Sequence, residues 1–301
     1  CSSDLGDITL PIDLSSAPIA MKLDKLILYP KPGEAEPSDP REWPAMIVNS
    51  KRFVFDDTEY GSLLLSTSKR RNGLFLDYLE LARPINKITG TGSWTYNGKN
   101  HSSSIKVKSE SIDIGKTMAA MGYADTIKDG NGTLAMDLNW PDMPHNISKK
   151  IINGSVKIDF SDGQLLDISP GAGRIFGLLS LQALPRRLML DFSDVFSKGF
   201  SFETIQGDFN IDAGDAYTSN FQLNGHAALI NISGRVGLVD EDYDQLVTVI
   251  PDALSGVPIL TILAGAEPIT AVLAWTIKNI FQTQYDKEVT FYYTIKGSWD
   301  N

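Results

Sequence analysis

Alternation of apolar and polar residues, repeated in run after run, is the feature that most restricts what this chain can become. Along 133–140, Leu134, Met136, Leu138 and Trp140 fall on one side, and Thr133, Ala135, Asp137 and Asn139 on the other. In 155–160, Val156, Ile158 and Phe160 align; in 104–110, Ile105 and Val107 oppose Lys106 and Lys108. The clearest run places Val289, Phe291, Tyr293 and Ile295 opposite Glu288, Thr290, Tyr292, Thr294 and Lys296. Successive side chains of a strand point to opposite faces, so each run reads as a strand with one apolar and one wet face. Weaker strands are expected at 21–28, 53–55, 63–65, 74–79, 200–211, 221–236 and 246–250.

Turn-forming residues punctuate these runs: Asp129-Gly130-Asn131-Gly132, Asn153-Gly154, Asp162-Gly163 and Asn224-Gly225. Short strands joined by tight turns predict an antiparallel meander rather than alternating βαβ units. Such a sheet has one face packed or occupied and the other solvated. Two segments depart from period two. Over 173–188, Ile175, Leu178, Leu179 and Leu181 recur at helical spacing up to Pro185. From 253 to 277 the only formal charge is Glu267. The pair Glu267-Pro268 divides that stretch into halves too short for a bilayer, which needs ~20 apolar residues. Two short helices within 257–281 are expected instead. Ile259, Leu260, Leu263, Leu273 and Trp275 would face lipid or a second apolar surface, as a movable lid or as a fixed plug, with Glu267 at the hinge.

Composition narrows the function. The chain has 301 residues, 42% of them hydrophobic, and a net charge of −10. Its longest basic run is Lys69-Arg70-Arg71, too little for a sequence-independent grip on nucleic acid. The single cysteine, Cys1, excludes an internal disulfide framework and a zinc site of several thiolates. Cys1-Ser2-Ser3-Asp4 has the form of a lipidated bacterial N-terminus, but 8–14 already reads as structured, so a fragment boundary is the preferred expectation. Gly171, Gly173 and Gly177 resemble a dinucleotide-binding loop, yet their GxGxxxG spacing and β-rich surroundings favour a tight strand-to-helix turn. Asp240-Glu241-Asp242-Tyr243-Asp244 offers carboxylates for a hard cation but has Gln245 where a calcium loop needs glycine, so it reads as a solvated acidic turn. His101, His145 and His226 share no metal-ligand spacing, and neither GxSxG nor HExxH occurs. No catalytic residue, metal or cofactor is expected. Sequons at Asn100, Asn131, Asn146, Asn153 and Asn231 are read as turn chemistry.

One stretch carries a family resemblance. The run Gly171-Ala172-Gly173-Arg174-Ile175-Phe176-Gly177-Leu178-Leu179-Ser180-Leu181-Gln182-Ala183-Leu184-Pro185-Arg186-Arg187-Leu188 is followed by Leu190-Asp191-Phe192-Ser193-Asp194-Val195-Phe196-Ser197-Lys198-Gly199-Phe200. Together they resemble the C-terminal signature of the YhdP family of AsmA-like proteins. Asp242-Tyr243-Asp244-Gln245 and the closing Gly297-Ser298-Trp299-Asp300 are similar to that family's end, and Asp39-Pro40-Arg41-Glu42-Trp43-Pro44 and Gly92-Ser93-Trp94 to its preceding region.

The resemblance implies a mostly β fold: a long curled antiparallel sheet forming a taco-like β-groove, with a few short helices towards the C-terminal end. It divides the chain into an AsmA-like groove segment, 1–165, and a C-terminal module, 166–301. It further implies the periplasm of a Gram-negative bacterium, as the C-terminal part of a protein anchored in the inner membrane, and non-enzymatic movement of phospholipid between the two membranes. The partners would be phospholipid acyl chains and an outer-membrane surface or envelope protein. Physical chemistry agrees on one point. Each buried CH₂ costs ~0.8 kcal/mol to expose, so a chain of about sixteen carbons meets a barrier of ~10 kcal/mol in water. An apolar sheet face removes most of it without a catalytic group. Candidates for that face are Leu134, Met136, Leu138, Trp140, Val156, Ile158, Phe160, Val289, Phe291, Tyr293 and Ile295. An interaction module docking the groove to an envelope partner, and a nucleotide-dependent enzyme using 171–177, are the alternatives.

Overall fold

The structure is a computed structural model that describes residues 2–14, 17–29, 38–166, 199–251 and 290–299. The expected helices at 173–188 and 257–281, the glycine loop 171–177, Val289 and the six lid or tip residues all lie outside the described residues.

Among the described residues fourteen strands hydrogen-bond in chain order, and the sheet does not close into a barrel. They are β1 (Ser2–Thr9), β2 (Ile19–Leu28), β3 (Met46–Phe55), β4 (Thr58–Arg70), β5 (Gly73–Arg83), β6 (Asn86–Tyr96) and β7 (His101–Ser111). A short helix, α1 (Ile114–Ala120), precedes β8 (Ile127–Trp140), β9 (Asn153–Leu165), β10 (Phe200–Asp212), β11 (Asp215–Gly225), β12 (Ala228–Gly237), β13 (Asp242–Pro251) and β14 (Phe291–Ser298). The mostly β expectation is met, because runs of period two bury apolar surface only as strands. Among the described residues no helix is long and apolar enough to cross a membrane.

Three details differ from the sequence reading. First, β2 and β3 pair in parallel, with Met21 beside Val48 and Leu23 beside Ser50. A parallel return needs a long connection. Residues 29–45 supply it, and Pro30, Pro32, Pro37, Pro40 and Pro44 suit that segment poorly to a ladder. Second, three expected turns lie within strands. Asp129, Gly130 and Gly132 adopt positive φ inside β8, and Asp162 does so inside β9, while Asn153-Gly154 opens β9. These are irregularities of long strands rather than hairpin ends. Gly132 has φ +153, and a Cβ there would meet the Asp159 carbonyl, a close approach that only glycine permits. Third, the run 221–236 is two strands, β11 and β12, turned at Gly225. The helix α1 has no strong periodic signal; Asp113 caps it by accepting from Lys116 N–H at 2.9 Å.

The chain forms two compact units. Unit 1 comprises 1–112 and 133–155, and unit 2 comprises 113–132 and 156–301. In unit 1 the buried residues Leu23, Leu26, Val48 and Leu63 form a core cluster, flanked by half-buried Met21, Met46, Leu65, Leu79 and Leu81. Unit 2 holds a denser core. Ile205, Ala216, Ile230, Val236 and Val247 have no exposed surface, and Phe200, Phe202, Phe209 and Phe221 are nearly as enclosed. Each fully buried side chain of this size contributes about 1.5–3 kcal/mol.

Candidate functional site

Register decides which side chains share a face. In unit 1 one row runs across seven strands: Ile8, Met21, Val48, Leu65, Leu79, Gly90 and Val107. The next runs Gly6, Leu23, Ser50, Leu63, Leu81, Ile88 and Ser109. A third holds Thr67, Leu76, Gly92 and Ile105, and a fourth Lys69, Leu74, Trp94 and Ser103. This face is aliphatic and incompletely covered: Leu65, Leu74, Leu76, Leu79, Leu81, Ile88, Ile105 and Val107 are all half-buried. The reverse face carries charge, with ion pairs Lys51–Asp24 at 2.7 Å, Lys87–Glu80 at 2.6 Å and Lys106–Asp137 at 2.7 Å. Lys87, then Tyr78, hold the Glu80 carboxyl below its ordinary range.

The β8 candidates divide on this measure. Leu134 and Met136 are half-buried, whereas Leu138 and Trp140 are buried. Trp140 Nε1 donates to the Met143 carbonyl at 2.9 Å, which fixes the indole in place. Most of the half-buried aliphatic residues, those of β4 to β7, are not among the lipid-face candidates that the sequence offers, although the alternation of Ile105 and Val107 in β7 is plain there. The signal was interrupted. Irregularities between Ser66 and Thr67, and between Leu76 and Leu79, shift the parity of the alternation, so Leu74 and Leu76 share a face with Leu79 and Leu81.

An aromatic cluster closes one end of the same face. Trp94 donates from Nε1 to His101 Nδ1 at 3.2 Å, and Tyr96 stacks on His101 with ring centroids 4.4 Å apart. The segment 38–45, which leads into β3, docks on it. Trp43 meets Trp94 edge to face at 6.0 Å, and the Arg41 guanidinium lies 5.2 Å from the Tyr96 ring centroid. Asp39 accepts from Arg41 Nε at 2.9 Å and from Nη2 at 2.6 Å, and this pairing holds its carboxyl below the usual range. His101 is thus engaged by aromatic neighbours, His226 is exposed with Nε2 3.9 Å from Glu203, and His145 sits in the 3-10 turn Pro144–Asn146. Among the described residues no group of three or more His, Cys, Asp or Glu could hold a metal.

In unit 2 the corresponding rows are Ile205, Leu223, Ile230, Val249 and Phe291, and Phe221, Ile232, Val247 and Tyr293. Val156, Ile158, Phe160 and Phe291 are buried; Tyr293 and Ile295 are half-buried. The acidic run at 240–244 is engaged by cations. Arg235 spans Asp215 at 2.8 Å and Asp242 at 2.6 Å, and Lys296 lies 3.1 Å from Asp244. Both carboxylates raise the Arg235 pKa further.

The family profile described as YhdP protein matches residues 5–301. A curated relative, the "Intermembrane phospholipid transporter YhdP" of Escherichia coli (strain K12), is 25% identical over 279 residues, covering 89% of this chain and 22% of that protein. The chain therefore spans about a fifth of the length of the curated relative it matches. No solved structure matches.

Proposed function

The chain belongs to the YhdP family, and on that premise we propose that it is a lipid-conducting segment of an intermembrane phospholipid transporter, working without catalysis. The observation that carries the reading is the aliphatic face of unit 1. Its rows cross seven strands, and although Leu23, Val48 and Leu63 are buried, Leu65, Leu74, Leu76, Leu79, Leu81, Ile88, Ile105 and Val107 are only half-buried. A face of this kind offers acyl chains an environment close to hydrocarbon. For a chain of about sixteen carbons it offsets most of the ~10 kcal/mol that crossing water would cost. Leu134 and Met136 extend the role to β8. The lipid meets only side chains it can slide past, so no residue need form or break a bond. The named relative supports the same cargo and a position between two membranes.

The direct test is lipid extraction from the folded, purified chain expressed in a Gram-negative host, with identification by mass spectrometry. Phospholipid in near-stoichiometric amount is expected. A folded chain that carries none, and takes up none from vesicles, removes the reading.

A further inference from the structure

The two ends of the strands in unit 1 differ in charge. At one end lie the β4–β5 turn with Lys69, Arg70 and Arg71, the β6–β7 turn with Lys99, and the 141–152 connection with Lys149 and Lys150. These belong to one rim. Gly73 pairs with Thr95, Tyr96 pairs with His101, and Ser103 Oγ donates to the Asp142 carbonyl at 2.7 Å. At the other end the β3–β4 turn is Asp56-Asp57, and the β5–β6 turn, whose Ile85 carbonyl accepts from Ile112 N–H at 3.0 Å, carries one cation, Arg83, whose Nε donates to Asn86 Oδ1 at 3.0 Å. A chain of net charge −10 thus concentrates cations along one edge of its aliphatic face.

The acidic groups on that rim are mostly occupied. Asp39 is held by Arg41, Asp142 accepts from Met143 N–H at 2.7 Å, and Asp77 lies 3.4 Å from Arg70; Glu42 and, in the β1–β2 connection, Asp13 are exposed. Arg70 itself is drawn to the reverse face, its guanidinium 3.9 Å from the Phe75 ring centroid. Lys69, Arg71 and Lys99 remain exposed. Lys69 stands in the row that continues through Leu74 and Trp94, so cation and apolar face meet within one row. Trp94 and Trp43 mark that boundary, the position that amphipathic indoles favour between apolar and wet surroundings.

We propose that this rim, through Lys69, Arg71 and Lys99, holds the phosphate of a phospholipid whose acyl chains lie on the adjoining aliphatic face. The inference rests on the lipid-conducting reading and adds to it which edge the headgroup follows. An amphiphile with an anionic head and two apolar tails matches a cationic edge bordering an apolar face. The cationic edge also draws phosphate from solution over several ångströms. The contacts are exposed, so they guide the head without trapping it.

The test uses two probes with the same tails, dioleoylphosphatidylglycerol and dioleoylglycerol, titrated onto the whole chain and read by native mass spectrometry. The variant is Lys69→Glu/Arg71→Glu/Lys99→Glu, with Lys69→Gln/Lys99→Gln as a milder second. Circular dichroism confirms folding. The expected result is a loss of about tenfold in phosphatidylglycerol affinity for the reversed variant and a smaller loss for the neutral one. Dioleoylglycerol affinity should be unchanged in both. Equal loss for both lipids, or no loss for either, overturns the proposal while leaving lipid conduction in place. Loss of flotation with phosphatidylglycerol vesicles, with single-lipid affinity intact, would make the rim a membrane-docking edge and overturns it too. Uptake of neither lipid by the wild-type chain removes the lipid-conducting reading itself, and this inference with it.

Discussion

Asp39 and Arg41 hold the segment leading into β3 against the aromatic cluster, and the carboxylate must be ionised to do so. Its pKa is lowered in the folded chain, chiefly by the Arg41 hydrogen bond. A carboxyl whose folded pKa lies below its unfolded value adds stability above the unfolded pKa, and loses it as pH falls through the folded one. Asp39→Asn should therefore lower the melting temperature at pH 7. The gap from wild type should persist down to about pH 4 and close only in more acid solution. Thermal melts of both proteins across pH 2.5–7 would show whether it does, on the order of one pH unit per step. A gap that does not change with pH would mean that Asp39 acts through shape rather than charge.

At the scale of the element, long strands are kept in one sheet by local irregularities rather than by uniform pleating. Inside β8, Gly132 takes φ +153 against the Asp159 carbonyl of β9. Inside β12, Gly234 takes φ +128 against the Asp244 carbonyl of β13. A side chain at either place meets both a strained backbone and the neighbouring strand. Gly132→Ala should cost more than about 1 kcal/mol, measured as a lower urea midpoint with an unchanged slope. An unchanged midpoint would mean that β8 relaxes its pairing with β9 at no cost. The parallel β2–β3 pair is the other element-scale device. It places the aromatic Trp43 and the cation Arg41 beside Trp94 and Tyr96, far from them in sequence.

For the whole molecule, the two units use similar alternation to different ends. Unit 1 leaves a run of aliphatic side chains across β4 to β7 half-covered, whereas unit 2 has a core of fully enclosed ones around Ile205, Ile230, Val236 and Val247. The same substitution should therefore fail differently in each. Met136→Asp places a carboxylate on a partly solvated face, so the chain should fold and lose bound lipid. Ile158→Asp buries a carboxylate at a site only 3% exposed, which costs several kcal/mol and should yield unfolded or insoluble protein. Paired measurements of solubility, circular dichroism and bound lipid separate the two. A folded Ile158→Asp chain lacking lipid would make Ile158 a lipid contact rather than core; a Met136→Asp chain with full lipid would exclude β8 from the track.

Strand content, the position of most strands and the polarity of their faces were determined by the sequence alone, because period two is a local property that burial of one face requires. The pairing of Lys106 and Lys108 away from Ile105 and Val107 is one example, and the run ending at Ile295 and Lys296 is another. Tertiary structure decided what local pattern cannot carry. The direction of β3 relative to β2 depends on a connection, not on either strand's alternation. The continuity of the aliphatic face across β4 and β5 depends on register shifts that change parity within a strand. How exposed each apolar residue remains depends on what covers it: alternation treats Met136 and Ile158 alike, and only the packed chain leaves the first half-open and closes the second.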